Sequence, residues 1–263
     1  MLELYYWEPN TFFLKPLIAL REKNAEFSGH FFDPVRFEQF STDFPRTIET
    51  MHNVEHEGPV LVAGDAVMCG SFFLLEYIAE TIPGPELYSP DPFERYRMQE
   101  LGQVIGKTLG ICVSLLGCMK YLVPVLQAQD QDYLRNVIDG IMPMERRARW
   151  LELIDGNIDA EGLGLMRHRL HKPVLEIEAR LCESQWLAGE RYSIADIDIF
   201  SMIWTLPDLV PEMVNGTDTP RILEFIARMK QRPAVKSAFA MSRSGHPHLC
   251  FVPGVEPSRW LGL

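Results

Sequence analysis

The chain has 263 residues, of which 47% are hydrophobic and 23% are charged, and its formal net charge at pH 7 is -11. This composition can bury a full core, which excludes a disordered chain, and the acidic balance argues against nucleic acid or a membrane as the main partner. The five cysteines have no CxxC or histidine-paired spacing. We therefore expect free thiols in a cytoplasmic protein, without a metal site.

The first 83 residues predict a small α/β layer. Alternating and helical patterns favour a strand at 2–8, a helix at 15–24, a strand at 27–33, a weak helix near 34–40, strands at 60–62 and 66–68 around a Gly64-Asp65 turn, and a helix at 71–82. A βαβ unit followed by a hairpin and a covering helix is a common layered arrangement.

A proline-rich segment from 82 to 93 predicts a boundary, so we assign domains to 1–83 and 93–263 with a linker at 84–92. The second domain is predicted to be helical. Its candidate helices cover 93–122, 145–184 and 191–204. The apolar stretch Leu101–Leu126 holds Gln103 and two lysines, which favours a buried helix over a membrane span.

Two local patterns in this domain have structural explanations. Gly102, Gly106 and Gly110 lie four residues apart on one helix face, which predicts close packing against a neighbour. Ser193 and Asp196 have the spacing of a capping box, in which the serine caps the helix and the acid bonds back to its amide.

The segment 53–80 carries the pattern of a small-peptide site. Pro59 precedes a predicted strand and removes one N–H donor, which leaves neighbouring backbone groups available. Ser71 opens the next helix, where a hydroxyl and orphan N–H groups suit a carboxylate.

This ordered set of motifs resembles the glutathione S-transferase family. Pro59, the hairpin, Ser71, LAGERYSIADI (187–197) and RPAVKSAF (232–239) occupy matching places. The resemblance implies an α+β fold, with a thioredoxin-like α/β N-terminal domain followed by an all-α C-terminal domain. Within the family, LKPLIAL (14–20), FFDPVRFEQF (31–40) and SPDPFERYRMQ (89–99) look closest to the bacterial lignin β-etherases.

The resemblance implies a glutathione site at Gly58, Pro59, Val60, Gly70 and Ser71. The family pattern has Val where this chain has Gly58, and Glu where it has Gly70. Gly70 cannot meet the γ-glutamyl amino group with an acid. Losing one such charge-assisted contact costs about 1.5–3 kcal/mol, or roughly ten- to a hundred-fold in affinity.

The residues at the thiol-activating position differ more strongly from the family pattern. In the β-etherases, the group that donates to the thiol resembles an Asn-Ser pair just before the LKP segment. The aligned residues in this chain are Phe12 and Phe13. A phenyl ring cannot donate a hydrogen bond to a thiolate, so the chain's own glutathione site is predicted to be impaired. Tyr6, Asn10 and Thr11 remain as nearby polar candidates for this role.

Three functions stay open from the sequence. In the first, the chain is a degenerate transferase subunit that forms a heterodimer with an active homologue, and the complex uses glutathione to cleave small aromatic ethers. Alternatively, it is an independent transferase that uses Tyr6, Asn10 or Thr11, or a non-enzymatic transferase-like binding protein.

Overall fold

The computed structural model describes residues 1–38, 59–141, 144–156 and 160–250. Its N-terminal part is a mixed sheet of β1 (Leu2–Tyr6), β2 (Ser28–Phe31), β3 (Val60–Ala63) and β4 (Ala66–Cys69), in the order β2-β1-β3-β4. β1 pairs parallel with β2 and antiparallel with β3, and β3 forms the predicted hairpin with β4. Gly64 has the positive φ of 63° that this tight turn requires.

Helices α1 (Thr11–Glu22) and α2 (Ser71–Thr81) cover this sheet. α1 begins four residues before the predicted start because Asn10 caps it, and Pro16 lies inside the helix. β1 correspondingly ends at Tyr6 rather than at residue 8. At the predicted weak helix, the structure has a short 3₁₀ turn over Pro34–Arg36, and residues 39 and 40 lie outside the described part of the chain.

The C-terminal part is helical. Its described helices are α3 (Pro92–Gln127), α4 (Gln131–Asp139), α5 (Met144–Asp155), α6 (Ala160–Glu183), α7 (Ile194–Ile203), α8 (Leu206–Leu209), α9 (Pro220–Gln231) and α10 (Pro233–Phe239). The predicted α+β arrangement is therefore confirmed.

The long helix α3 extends the predicted helix at 93–122 by about one turn. It contains two π-helical turns, Gly102–Gly106 and Cys118–Leu122, which the sequence pattern did not indicate. α3 is long and apolar enough to cross a membrane, but 61% of its most apolar window is buried inside the protein. It is therefore a core helix, which confirms the prediction of a buried helix made from its polar residues.

The glycine face of α3 confirms the expected close packing, which occurs within one subunit. A Cβ on Gly106 would lie 3.0 Å from Asp198 and 3.4 Å from Met202, both on α7. A Cβ on Gly110 would lie 3.4 Å from the ring of Phe12 on α1. α3 therefore approaches both α7 and the start of α1 through positions without side chains.

The capping box at α7 is also confirmed. Ser193 Oγ accepts the N–H of Ala195, and Asp196 Oδ2 accepts the N–H of Ser193 at 2.9 Å. Asp196 Oδ1 additionally accepts the N–H of Leu187 at 2.9 Å. Asp196 thus holds the preceding loop against the helix that packs on α1.

Candidate functional site

The predicted thiol-activating residues lie where β1 ends and α1 begins. Tyr6 is buried at the end of β1, and its hydroxyl donates to the carbonyl oxygen of Met241 at 3.4 Å. Its ring makes an edge contact with Phe31. Tyr5 faces the other side of the sheet and stacks on His30. The Tyr6 hydroxyl is therefore committed to the C-terminal part of the chain.

Asn10 is buried at the N-cap of α1, and each polar atom of its side chain has a partner. Oδ1 accepts the N–H of Thr11 at 2.8 Å and the indole N–H of Trp204 at 3.0 Å. Nδ2 donates to the carbonyl oxygen of His248 at 2.7 Å and to Cys250 Sγ at 2.7 Å. This amide thus already contacts a sulfur atom, one that belongs to the chain itself.

Thr11, Phe12 and Phe13 occupy different environments. Thr11 is buried and has a φ of 39°, an unusual value for a residue that is not glycine. Phe13 lies in the core and makes edge contacts with Trp7 and Phe32. Phe12 is half-buried and packs beside Gly110 of α3. Phe12 therefore lies between α1 and α3, whereas Phe13 points into the sheet domain.

The predicted peptide-binding segment is partly described. Gly58 lies outside the described residues, while Pro59 and Val60 are buried at the start of β3. Gly70 is the N-cap of α2 with a φ of 85°, and Ser71 is the first residue of that helix. Gly70 has no side chain that could cap the helix, and Ser71 is 8% exposed. A helix start of this kind, with a serine at its first position, suits an anionic group.

A buried acidic residue at this junction is not predicted from the sequence. Glu8 is fully buried and accepts the N–H groups of Arg243 at 3.0 Å and of Ser244 at 2.8 Å. It also accepts the hydroxyl of Ser242. Glu8 and Asn10 together hold the segment 242–250, hereafter the strap, across the start of α1. The available signal is an acid two residues after the end of β1, next to the buried Trp7.

A buried ion pair lies behind the site. Lys15 Nζ on α1 is 2.6 Å from Asp198 Oδ1 on α7, and the two side chains are 6% and 2% exposed. The Lys15 ammonium is also 5.6 Å from the centre of the Phe12 ring. Asp198 lies between Ile197 and Ile199, and all three residues are buried. A carboxylate in such a place requires a cationic partner.

In this arrangement the start of α2 suits an anion, whereas the hydrogen-bond donors of Tyr6 and Asn10 near α1 already donate to residues 241–250 of the same chain. Burial raises the pKa of the Cys250 thiol to about 12, although the Asn10 amide opposes this shift. Cys250 is therefore a neutral thiol at physiological pH and not a nucleophile.

Comparison with known proteins finds a relative that is similar along most of the chain. A sequence model of the glutathione S-transferase C-terminal domain matches residues 166–233. The protein LigF of Sphingobium sp. (strain NBRC 103272 / SYK-6) is 28% identical over 248 residues, which cover 92% of this chain and 94% of LigF. The crystal structure of LigF, described as a beta-etherase, superposes with a TM-score of 0.82 and 27% identity, covering 92% of this chain and 99% of that one.

Two further matches are shorter or more distant. A tetrachloro-p-hydroquinone reductive dehalogenase of Sphingobium chlorophenolicum is 33% identical over 87 residues, 32% of this chain and 33% of that protein. Glutathione transferase F2 of Populus trichocarpa shares the fold, with a TM-score of 0.69 and 19% identity over 93% of this chain and 100% of that one.

Proposed function

Because the chain belongs to the glutathione S-transferase family, we propose that it is a subunit of a glutathione-dependent β-etherase that cleaves lignin-derived β-aryl ethers. In this reaction the glutathione thiolate attacks the carbon that bears the aryloxy group. A C–S bond forms as the C–O bond breaks, and the aryloxide leaves with the bonding electrons and then takes a proton. The observation that carries the proposal is the likeness to a β-etherase along 92% of the chain.

We further propose that this chain's own site is impaired and that a homologous subunit performs the catalysis. The hydroxyl of Tyr6 and the amide of Asn10 are engaged by the C-terminal part of the chain. Phe12 and Phe13 supply rings that cannot donate to a thiolate. The backbone at Gly70 disfavours the acid that would meet the γ-glutamyl amino group. These features support a scaffold role for this chain.

A subunit role requires a surface for a partner. Phe73 on α2 and Phe93 and Tyr96 on α3 are 64%, 66% and 57% exposed. Gln99 of α3 donates to Glu76 of α2 at 2.7 Å, so a hydrogen bond joins the two helices near these rings. We propose that this aromatic face packs against a homologous transferase subunit in the cytoplasm, where the chain's cysteines remain free thiols.

The test is to measure ether cleavage by this chain alone, by a homologous β-etherase subunit alone, and by the two co-expressed. An aryl ether with a fluorescent phenol as leaving group reports the C–O cleavage directly. The proposal expects no turnover from this chain alone and a co-purifying complex with turnover. Turnover by the isolated chain would show an independent transferase, and the absence of both turnover and a complex would contradict the subunit role.

A further inference from the structure

The strap is fastened at both ends by buried polar side chains from the β1–α1 junction. Glu8 accepts hydrogen bonds from three consecutive residues at its start, 242–244. Asn10 donates to the carbonyl oxygen of His248 and to Cys250 Sγ at its end. The His248 ring additionally lies against Tyr121 of α3, with ring centres 4.7 Å apart. The strap therefore lies over the start of α1 and reaches α3.

The Cys250 thiol fills a space that is shaped for a sulfur atom. A Cβ on Gly117 of α3 would lie 2.5 Å from Cys250 Sγ, so any side chain at residue 117 would exclude the sulfur. The Asn10 amide donates to the same sulfur at 2.7 Å. The space thus combines a position without a side chain and a hydrogen-bond donor, both next to the sulfur.

The same place suits a thiolate better than it suits Cys250. Asn10 is the N-cap of α1, where the helix dipole and an amide donor both favour negative charge. Cys250 remains neutral because it is buried, so its hydrogen bond with Asn10 lacks the strength of a charge-assisted one. A ligand thiol that enters as a thiolate would gain that extra interaction.

We infer that the Asn10 amide is a binding group for the sulfur of a small thiol such as glutathione, and that the strap keeps this place filled with the chain's own Cys250 thiol. The inference rests on the proposed glutathione chemistry and adds a regulation to it. Release of the strap frees Asn10, whereas a docked strap excludes the ligand sulfur. The impairment of this site is then partly a reversible competition rather than a complete loss.

Strap release is tested first by the reactivity of Cys250. Glu8→Ala removes the hydrogen-bond acceptor for residues 242–244. Ser244→Pro instead removes one N–H that donates to Glu8, and it does so at an exposed residue of the strap, outside the core. We expect both variants to raise the rate of Cys250 alkylation, read by peptide mass spectrometry, about tenfold or more. The exposed Cys182 in the same samples is the internal control, and its rate should stay constant.

Sulfur recognition is tested by comparing glutathione with the same tripeptide in which a methyl group replaces the thiol. The wild type should bind neither ligand measurably by calorimetry. Glu8→Ala or Ser244→Pro should bind glutathione about tenfold more tightly than the sulfur-free analogue. Adding Asn10→Asp keeps the N-cap acceptor but removes the amide donor, so the tenfold preference should disappear.

Several outcomes would overturn the inference. Unchanged Cys250 alkylation in both variants would show that Glu8 does not hold the strap. Equal binding of the two ligands after strap release would show a simple steric cover without a sulfur site. Failure to bind either ligand would also contradict it. None of these results bears on whether a complex with a homologue cleaves ethers, so the proposed function fails or survives separately.

Discussion

At the scale of single residues, Gly70 shows how the backbone restricts the candidate site. Its φ of 85° is rarely adopted by L residues, and an added Cβ would lie 3.0 Å from the Phe73 ring. We expect Gly70→Ala to lower the free energy of unfolding by about 1–2 kcal/mol, measured by urea denaturation.

Gly164 of α6 provides the matched control for this substitution. It lies inside a helix without a positive φ, and an added Cβ would have nothing within 4 Å. Gly164→Ala should raise the free energy of unfolding by about 0.5–1 kcal/mol because alanine favours the helix. A loss of stability of equal size in both variants would contradict the backbone argument at Gly70.

Asp196 predicts a pH dependence of stability. Burial raises its pKa to about 7, despite the backbone N–H donors of Leu187 and Ser193 that lower it. In the unfolded chain the pKa returns to about 3.9, so the folded protein binds the proton more tightly. The stabilising contribution is complete below the unfolded pKa and is lost as the pH rises through about 7.

The measurement is the urea midpoint of the wild type and of Asp196→Asn at several pH values from about 4 to 8. Asparagine cannot titrate, so the stability of the wild type relative to the variant should fall steadily over this interval. A difference that rises with pH would show that the folded carboxylate is ionised instead.

At the scale of elements, a buried ion pair joins α1 to α7 next to the glycine face of α3. Lys15→Met leaves a buried, unpaired Asp198 carboxylate and should cost about 3–5 kcal/mol of unfolding free energy. Lys15→Met combined with Asp198→Asn removes both charges and should recover most of that loss. A double-mutant cycle on urea unfolding measures the coupling.

The exposed pair Lys120–Asp208 is the control for this cycle. Its side chains are 44% and 61% exposed, so Lys120→Met should cost no more than about 1 kcal/mol. Equal costs for Lys15→Met and Lys120→Met would mean that burial does not determine the energy of these pairs.

At the scale of the whole molecule, the features predicted from sequence are those with local causes. The β3–β4 hairpin follows from a two-residue turn with glycine, and the α7 capping box from a three-residue spacing. The predicted start of α1 at residue 15 is four residues late, because the apolar spacing begins at Leu17 whereas the helix begins at the Asn10 N-cap.

The contacts that define the candidate site could not be predicted in this way. Asn10 meets Cys250 across 240 residues, and Lys15 meets Asp198 through the packing of two domains. No spacing rule relates positions so far apart. The sequence did indicate that Phe12 and Phe13 replace polar groups, but not that Phe12 packs between α1 and α3.

The aromatic face on α2 and α3 yields the last prediction, which concerns assembly. Phe73 and Phe93 expose most of their rings, an arrangement that favours burial against a second subunit. We expect Phe73→Ser combined with Phe93→Ser to release this chain from the proposed complex with the co-expressed homologue, as a monomer of 30.2 kDa in sedimentation velocity. Tyr133→Ser, at a comparably exposed aromatic on α4, is the control and should leave the complex intact. Dissociation by Tyr133→Ser but not by the double variant would place the interface on the other side of the molecule.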